Sequence, residues 1–326
     1  MIKNGLKKYF VVFFLLVTSV LFGAIDKDYL WLKLQSGIDK FQKKQYGDAM
    51  VLFSECEILD SSNGDVAYWI GRVYEVEGDY ELAKLQYQKA INYYQFQEPF
   101  TIDQIFESSL HLADTYLHLG DRTNYISLLD SLSSKNAKKS LSERDKDHQA
   151  ILSLFNKSGL NKVLELYRLD NNLDMELFSR KGAYFKSIGD IDQSKKYFLL
   201  SIVTSLSTIL NECESHDIAF IFTNQDNANQ SSNEKITKDM SVSSLTTTHY
   251  GDIAKLLSNV SNNTMIRDYI SKSNLMENIY TLAVLLKQQK NSQAAIDILW
   301  IPITYPHNAH ISKNANRLFL EISSGR

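Results

Sequence analysis

The sequence predicts an all-α protein, built as a solenoid of antiparallel helix hairpins. Three observations support this fold class: apolar residues recur at helical spacing, Gly-Asp pairs interrupt the pattern at intervals, and the chain has only 3 prolines. Glycine suits the left-handed residue just past a helix end, and aspartate caps the helix that follows. A single hairpin cannot bury its own apolar face, so recurrence predicts that neighbouring hairpins stack into a continuous core.

The clearest hairpin is residues 65–93, which divide into two amphipathic halves at Gly78-Asp79. In each half the apolar and small residues fall on one helical face: Ile70, Gly71 and Tyr74, then Ala83, Tyr87, Ala90 and Ile91. Small residues at these positions allow two helices to cross closely. This alternation of small and large residues resembles the tetratricopeptide repeat family, and the resemblance implies a helical array that binds proteins or peptides.

Further segments resemble the same pattern at the family's period of about 34 residues. Several of them depart from it, with Lys33, Lys40, Lys181 and Ser194 at places where apolar or small residues are usual. The 145–168 copy is degenerate, with its turn expected at Ser158-Gly159. The segments are 37–56, 111–132, 145–168, 179–202 and 277–300.

The chain begins with a basic segment followed by an apolar run. Three lysines precede the 16 residues of 9–24, which are mostly apolar. This is the form of a secretory signal, and the run is shorter than the roughly 20 residues that span a bilayer. Residues 1–24 are therefore expected to be a signal peptide. The alternative is an uncleaved anchor, since the bulky Phe22 makes the cleavage site imperfect.

A change of composition divides the rest of the chain. Residues 222–247 are rich in Asn, Ser and Thr and nearly lack large apolar groups, so burial cannot offset the entropy of ordering them. We expect a repeat array at 25–210, a disordered insertion at 211–247, and a C-terminal hairpin with a capping helix at 248–326. In that last helix Leu318, Phe319 and Ile322 share one face.

Charge excludes two classes of partner. Without residues 1–24 the chain has 32 basic and 38 acidic residues, a net charge of −6. Nucleic acid and anionic lipid both require a basic face, so neither is an expected partner. The membrane is expected to matter only through residues 9–24, if they are retained.

The sequence contains no glycine-rich cofactor loop, no nucleophile motif and no paired metal-ligand motif. Cys213, His216 and Asp217 share a helical face, but structural zinc normally takes four ligands. His307 and His310 lack accompanying ligands. Cys56 and Cys213 lie four repeats apart, and distant repeats of a solenoid do not contact one another, so both are expected to be buried thiols. We therefore predict a protein that is not an enzyme and has no cofactor or metal.

The repeat resemblance itself implies a functional surface. In that family the first helix of each hairpin lines a concave groove that takes a peptide or a partner's helix. Tyr68 and Arg72 are the strongest candidates, because aromatic and arginine side chains dominate binding hot spots. Leu34, Ile38, Phe41 and Leu117 also fit core packing, and both interpretations stay open. The transferred positions are Leu34, Ile38, Phe41, Tyr68, Arg72, Glu75, Asp114, Leu117, His118, Ala183 and Lys186.

Some members of the family clamp a terminal carboxylate with Lys and Asn. Leu34, Ile38 and Tyr68 stand at the corresponding places here, so that ligand class is not expected. The predicted function is a protein-binding scaffold of the bacterial cell envelope, exported to the periplasm or the inner membrane. The alternative is a membrane-anchored structural factor that organises an envelope complex.

Overall fold

The computed structural model describes residues 29–96, 102–135, 140–167, 172–216, 248–260, 263–304 and 309–324. Within these ranges the chain is helical and contains no strand, so the predicted all-α fold of helix hairpins is confirmed. The predicted signal segment 1–24 and nearly all of the predicted insertion lie outside the described residues.

The helices follow one another with short connections. They are α1 (29–42), α2 (Tyr46–Leu59), α3 (Gly64–Glu77), α4 (Tyr80–Phe96), α5 (Ile102–His118), α6 (Arg122–Lys135), α7 (Leu141–Leu166), α8 (Asn172–Ser187), α9 (Ile191–Ser215), α10 (Tyr250–Val260), α11 (Thr264–Lys272), α12 (Leu275–Gln288), α13 (Ser292–Thr304) and α14 (Ala309–Ser323). They fall into two compact units, unit 1 (Met1–Leu132) and unit 2 (Ser133–Arg326).

The α3–α4 hairpin forms as its sequence predicts. Asn63 caps α3 by accepting hydrogen bonds from the backbone N–H groups of Asp65 and Val66. Gly78 ends the helix with φ of 83°, a conformation that a side chain would disfavour. Asp79 then accepts from the N–H of Leu82 at 3.3 Å and starts α4. The hairpin is therefore specified locally at both ends.

The same turn recurs in two other hairpins. Gly120 and Gly189 have φ of 76° and 81°, and Asp121 and Asp190 each accept the N–H of the residue three positions on. The degenerate copy behaves differently. Gly159, with φ of 81°, separates two helical segments within α7, at the position where the sequence predicted a turn between two helices.

Unit 1 packs two groups of buried side chains along its hairpins. Tyr87 and Phe53 are fully buried and fill the crossings against Gly71 and Gly37. Close approach at these glycines is what the small residues of the sequence pattern predicted. The other main buried residues are Ala49, Cys56, Val66, Ile70, Val73, Ala83, Ala90 and Tyr94.

Unit 2 is organised around α9, whose residues 198–210 are all buried. The hydroxyls of Thr204, Ser205, Ser207 and Thr208 donate to the carbonyl four residues earlier, as Thr204 does to Leu200 at 2.9 Å. Ser201 instead donates to the Met175 carbonyl on α8 at 2.9 Å. Helices α7, α8 and α12 pack around α9. A buried amide joins two of them: Asn278 donates to Ser201 Oγ at 3.0 Å and accepts from Ser179 at 2.9 Å.

The helices that follow the predicted insertion belong to the same core. Asp297, which is 2% exposed, accepts hydrogen bonds from the backbone N–H and the hydroxyl of Thr248 at 3.0 and 2.6 Å. These bonds hold the chain at the start of α10. At the C-terminus, Leu318 is buried, and Phe319 and Ile322 pack partly buried against the unit 2 core. The apolar face predicted for the last helix therefore packs against the core of unit 2.

Both cysteines are buried free thiols, as predicted. Burial raises the pKa of the Cys56 and Cys213 thiols, which keeps them protonated. In the part of the chain that the structure describes, no helix combines the length and the apolarity that a membrane crossing requires.

Unit 2 also buries a histidine among positive charges. His148 on α7 is 9% exposed, and its ring meets the Phe178 ring edge-on at 5.0 Å between centroids. Burial, together with the positive charges of Arg144, Lys196 and Lys181, lowers the pKa of His148 to about 4, against an opposing effect of Asp145. The folded state therefore holds this imidazole neutral.

We expect this histidine to make unit 2 acid-sensitive. The unfolded chain binds the proton near pH 6.5 and the folded chain only near pH 4, so stability is full above pH 6.5 and falls as the pH decreases. Between pH 7 and pH 5 the expected loss is about 2 kcal/mol in the free energy of unfolding. Urea unfolding of wild type and His148→Leu at both pH values measures it.

The His148→Leu variant should lose much less stability than wild type between pH 7 and pH 5. His216→Gln is the matched control, because the His216 side chain is 54% exposed and the substitution should leave the acid loss in place. An equal loss in wild type and His148→Leu would show that other groups cause the acid sensitivity.

Candidate functional site

The first helices of the three hairpins of unit 1 lie side by side. The rings of Phe41 on α1 and Trp69 on α3 are 5.3 Å apart between centroids. Between α3 and α5, the Tyr68 hydroxyl donates to Glu107 Oε1 at 2.6 Å. These contacts join α1, α3 and α5 into one row. We call its solvent-facing part the first-helix surface, defined by Trp31, Ile38, Phe41, Arg72, Glu75, Asp103, Glu107, His111, Asp114, Leu117 and His118.

Arg72 is at the centre of this surface. Its guanidinium lies 5.5 to 6.0 Å from the ring centroids of Phe41, Tyr68 and Trp69, within the range of cation–π attraction. Its Nη1 donates to the Tyr68 hydroxyl at 3.1 Å, and its Nε lies 3.5 Å from Glu75 Oε2. Three rings and two oxygens therefore fix a side chain that would otherwise be mobile.

Glu75 is contacted by three polar side chains, those of Arg72, Tyr87 and His111. The Tyr87 hydroxyl donates to its Oε2, and the Nδ1 of His111 lies 3.0 Å from the same atom. Burial acts to raise the pKa of Glu75, but His111, Tyr87 and Arg72 outweigh it, so the pKa lies below its usual value. The carboxylate stays charged and holds the three groups around it.

The two tyrosines are held in their neutral form. Burial, together with nearby Glu107 for one and Glu75 for the other, raises the pKa of Tyr68 and Tyr87 well above the usual value. Both hydroxyls therefore remain hydrogen-bond donors. The His111 ring stacks on Tyr87 at 5.4 Å between centroids. The arrangement positions side chains and leaves no activated nucleophile among the residues named here.

The structure places the predicted groove residues at different depths. Leu34 and Tyr68 are buried, at 8% and 7% exposure, and Ile38 and Phe41 pack partly buried against the unit 1 core. For these side chains the core interpretation describes the packing, and their role in binding stays a prediction.

The remaining predicted residues are more accessible. Arg72, Glu75 and Asp114 are half-buried, and Leu117 and His118 are exposed, with the His118 ring stacked on Tyr80 at 4.3 Å between centroids. The other two predicted residues, Ala183 and Lys186, are exposed on α8 in unit 2, and their role in binding stays a prediction.

Sequence reasoning missed Glu107 and His111. Both lie on α5 at helical spacing from Asp114 and His118, and this spacing alone places them on the same stripe. Their contacts with Tyr68 and Glu75 are 36 to 39 residues apart in the chain. The spacing within α5 could therefore have identified both residues, but the sequence does not show which residues of α3 they contact.

The candidate metal ligands do not assemble in the described residues. Cys213 is buried, whereas His216 is exposed and its Nδ1 contacts Ser215 Oγ at 2.8 Å and the Glu212 carbonyl at 3.0 Å. Across the described ranges, no three side chains of His, Cys, Asp or Glu are grouped as a metal site. Asp217 and His307 lie outside these ranges.

The comparisons with known proteins agree with the hairpin geometry. The family profile described as "Tetratricopeptide repeat" matches residues 64–96, which are α3 and α4. No curated protein sequence matches the chain.

Similar solved structures include YrrB, described as a tetratricopeptide repeat protein with an unusual peptide-binding site, at 12% identity and a TM-score of 0.37, covering 87% of this chain and 90% of that one. Another is pilF of Pseudomonas aeruginosa, at 14% identity and a TM-score of 0.36, covering 92% and 99%. A third is the TPR2AB domain of yeast Sti1 in complex with pHSP90, at 12% identity and a TM-score of 0.31, covering 91% of this chain and 99% of that one. Likeness at this level carries no argument about function.

The α3–α4 hairpin thus has the capped turn, the glycine crossing and the family match together. The resemblance expected from the sequence is confirmed there: residues 64–96 match the tetratricopeptide repeat profile and form a capped helix hairpin.

Proposed function

We propose that the chain is a non-catalytic scaffold that binds a partner protein or peptide across the first-helix surface of unit 1. The observation that carries this proposal is the fixed row of side chains around Arg72, which links three successive first helices. A surface whose side chains are already held loses less entropy when a partner binds. Exposed Trp31, at 61%, adds an aromatic group of the kind that anchors interfaces.

The proposed location is the bacterial cell envelope. Its support is the sequence of residues 1–24, a basic start and a short apolar run. If this segment is cleaved, the scaffold is periplasmic. If it is retained, the same surface acts next to the inner membrane, and the mass of the mature chain decides between the two.

Site-specific photo-crosslinking in intact cells tests the proposal. A photoreactive residue is placed at Trp31 or Leu117 on first helices, and at Ile58 or Leu85 on second helices. All four side chains are exposed, by 39% or more, so the substitutions should leave the fold intact. We expect a discrete crosslinked partner from the first pair. Crosslinks that form mainly from Ile58 and Leu85 would contradict the proposal.

A further inference from the structure

Negative charge is concentrated in unit 1. Residues 29–132 contain 8 Lys and Arg against 16 Asp and Glu, a net charge of −8 with His neutral. Residues 133–326 contain 23 Lys and Arg against 20 Asp and Glu, a net charge of +3. The whole-chain value hides this asymmetry. A partner of the first-helix surface therefore approaches a strongly negative unit, which favours cationic ligands.

Four of the eight Lys and Arg residues counted in unit 1 pair with carboxylates of second helices. The two lysines of α1, Lys33 and Lys40, are turned to α2, where they pair with Glu55 and Asp48. The lysines of α4 pair with carboxylates of second helices as well, Lys84 with Glu81 and Lys89 with Glu57. Their charges are thus balanced away from α1, α3 and α5.

Arg72 is the single Lys or Arg among the residues that define the first-helix surface, and its charge is balanced by Glu75. Glu107 and Asp103 on α5 are exposed, and Asp114 is half-buried on the same helix. Glu107 accepts one hydrogen bond, from Tyr68, through Oε1. Its charge faces solvent in a row that is acidic overall.

The environment of Arg72 shows which ligand groups this surface suits. A guanidinium lies among three aromatic rings and next to a carboxylate, held by both kinds of contact. Trp31, 61% exposed on α1, is one turn before Leu34 and two turns before Ile38, on the same stripe. Aromatic and apolar groups on α1 thus adjoin carboxylates on α5.

We propose that the first-helix surface of unit 1 recognises a positively charged segment of its partner, in which Lys or Arg side chains adjoin an apolar or aromatic residue. The apolar residue packs near Trp31 and Ile38, and the cations pair with Glu107 and Asp103. An acidic segment or a terminal carboxylate is repelled by the same charges. This inference rests on the proposed function and specifies the chemistry of the ligand.

Selection from a random library of displayed 12-residue peptides tests the inference on the full chain. We expect the enriched peptides to have a net positive charge and at least one aromatic or large aliphatic residue. Their affinity should fall as sodium chloride is raised from 50 to 500 mM, because salt screens the attraction.

Two matched variants locate the interaction. Glu107→Gln removes one charge but keeps an acceptor for the Tyr68 hydroxyl, and it should weaken binding of a selected peptide about three- to fivefold, the range of a solvent-exposed ion pair. Glu81→Gln removes the same charge from α4, where the side chain is 66% exposed, and should change the affinity by less than about twofold.

The outcomes separate the two proposals. Neutral or acidic enriched peptides, or equal weakening by Glu107→Gln and Glu81→Gln, would overturn the inference and leave the binding function standing. If no peptide is enriched over a blank surface, peptide binding by this face fails, and the inference fails with it.

Discussion

Replacing Arg144 by Leu should cost unit 2 about 3–5 kcal/mol in the free energy of unfolding. Arg144 is 7% exposed, and its Nη2 donates to Asp174 Oδ2 at 2.7 Å. Its Nη1 donates to the carbonyl and the hydroxyl of Ser133. The substitution leaves a buried carboxylate that has lost its counter-charge, and such a group is far more costly than the intact pair is stabilising.

The state of Asp174 supports this magnitude. Burial already raises the pKa of Asp174, and Arg144 is the main opposing influence, with Lys181 a weaker one. Without the guanidinium the pKa of this carboxyl is expected to rise further, because the main influence that opposes burial is lost. The variant should therefore gain stability as the pH is lowered from 7 to 5, relative to wild type.

Urea unfolding followed by helical circular dichroism measures the effect. The double variant Arg144→Leu/Asp174→Asn should recover part of the loss, because no unpaired carboxylate is then left at position 174. Arg180→Leu is the control: Arg180 forms a less buried pair with Glu176, with side chains 23% and 25% exposed, and its loss should cost about 1 kcal/mol. Equal costs for Arg144→Leu and Arg180→Leu would contradict the account.

Gly71→Leu should cost unit 1 roughly 1–3 kcal/mol or more. A Cβ atom at this position would lie 2.9 Å from Cε1 and 3.0 Å from Cδ1 of Tyr87. Tyr87 cannot move away easily, since it is fully buried and its hydroxyl donates to Glu75. Overpacking therefore pushes α3 and α4 apart at their crossing.

Hydrogen exchange at the amides of α3 and α4 reports this loss directly, because it measures local opening. The control is Gly47→Leu on α2, where an added Cβ meets no atom within 4 Å, and its effect should stay within about 0.5 kcal/mol. A Gly71→Leu protein with unchanged protection in both helices would refute the close crossing.

The hairpins were predictable because their signals are local. Gly78 and Asp79 define a turn by their own conformational preferences, and Gly71 and Tyr87 mark the crossing by helical spacing. The kink at Gly159 was harder to predict from the sequence. A glycine signals a break in either case, and only the packing of α7 decides between a turn and a kink.

The departures from the repeat pattern needed the structure to explain them. Lys181 is 5% exposed, yet its ammonium lies 5.5 Å from the Tyr197 ring centroid, a contact that suits a buried cation. Ser194 fits its crossing because its hydroxyl donates to the Gly182 carbonyl at 2.8 Å. Both polar residues are therefore paired within the α8–α9 hairpin.

The candidate site was predictable only in part. Helical spacing and the repeat resemblance pointed to Arg72, Glu75, Asp114 and His118 on first helices. Pairing across helices was not visible, so Tyr68 was expected at the surface and is buried beneath Glu107. Spacing within one helix predicts a face, but it does not predict which side chain of the neighbouring helix covers that face.

A partner is proposed to lie across the first helices of unit 1. The most direct test is the yield of crosslinked partner from a photoreactive residue at position 117 compared with position 85, measured in the same cells at equal expression. Leu117 is on α5 and Leu85 on α4, at 39% and 51% exposure. We predict a yield at least about tenfold higher from position 117, as expected when one side chain is buried by the partner and the other stays in solvent. Equal yields, or a higher yield from position 85, would contradict the claim.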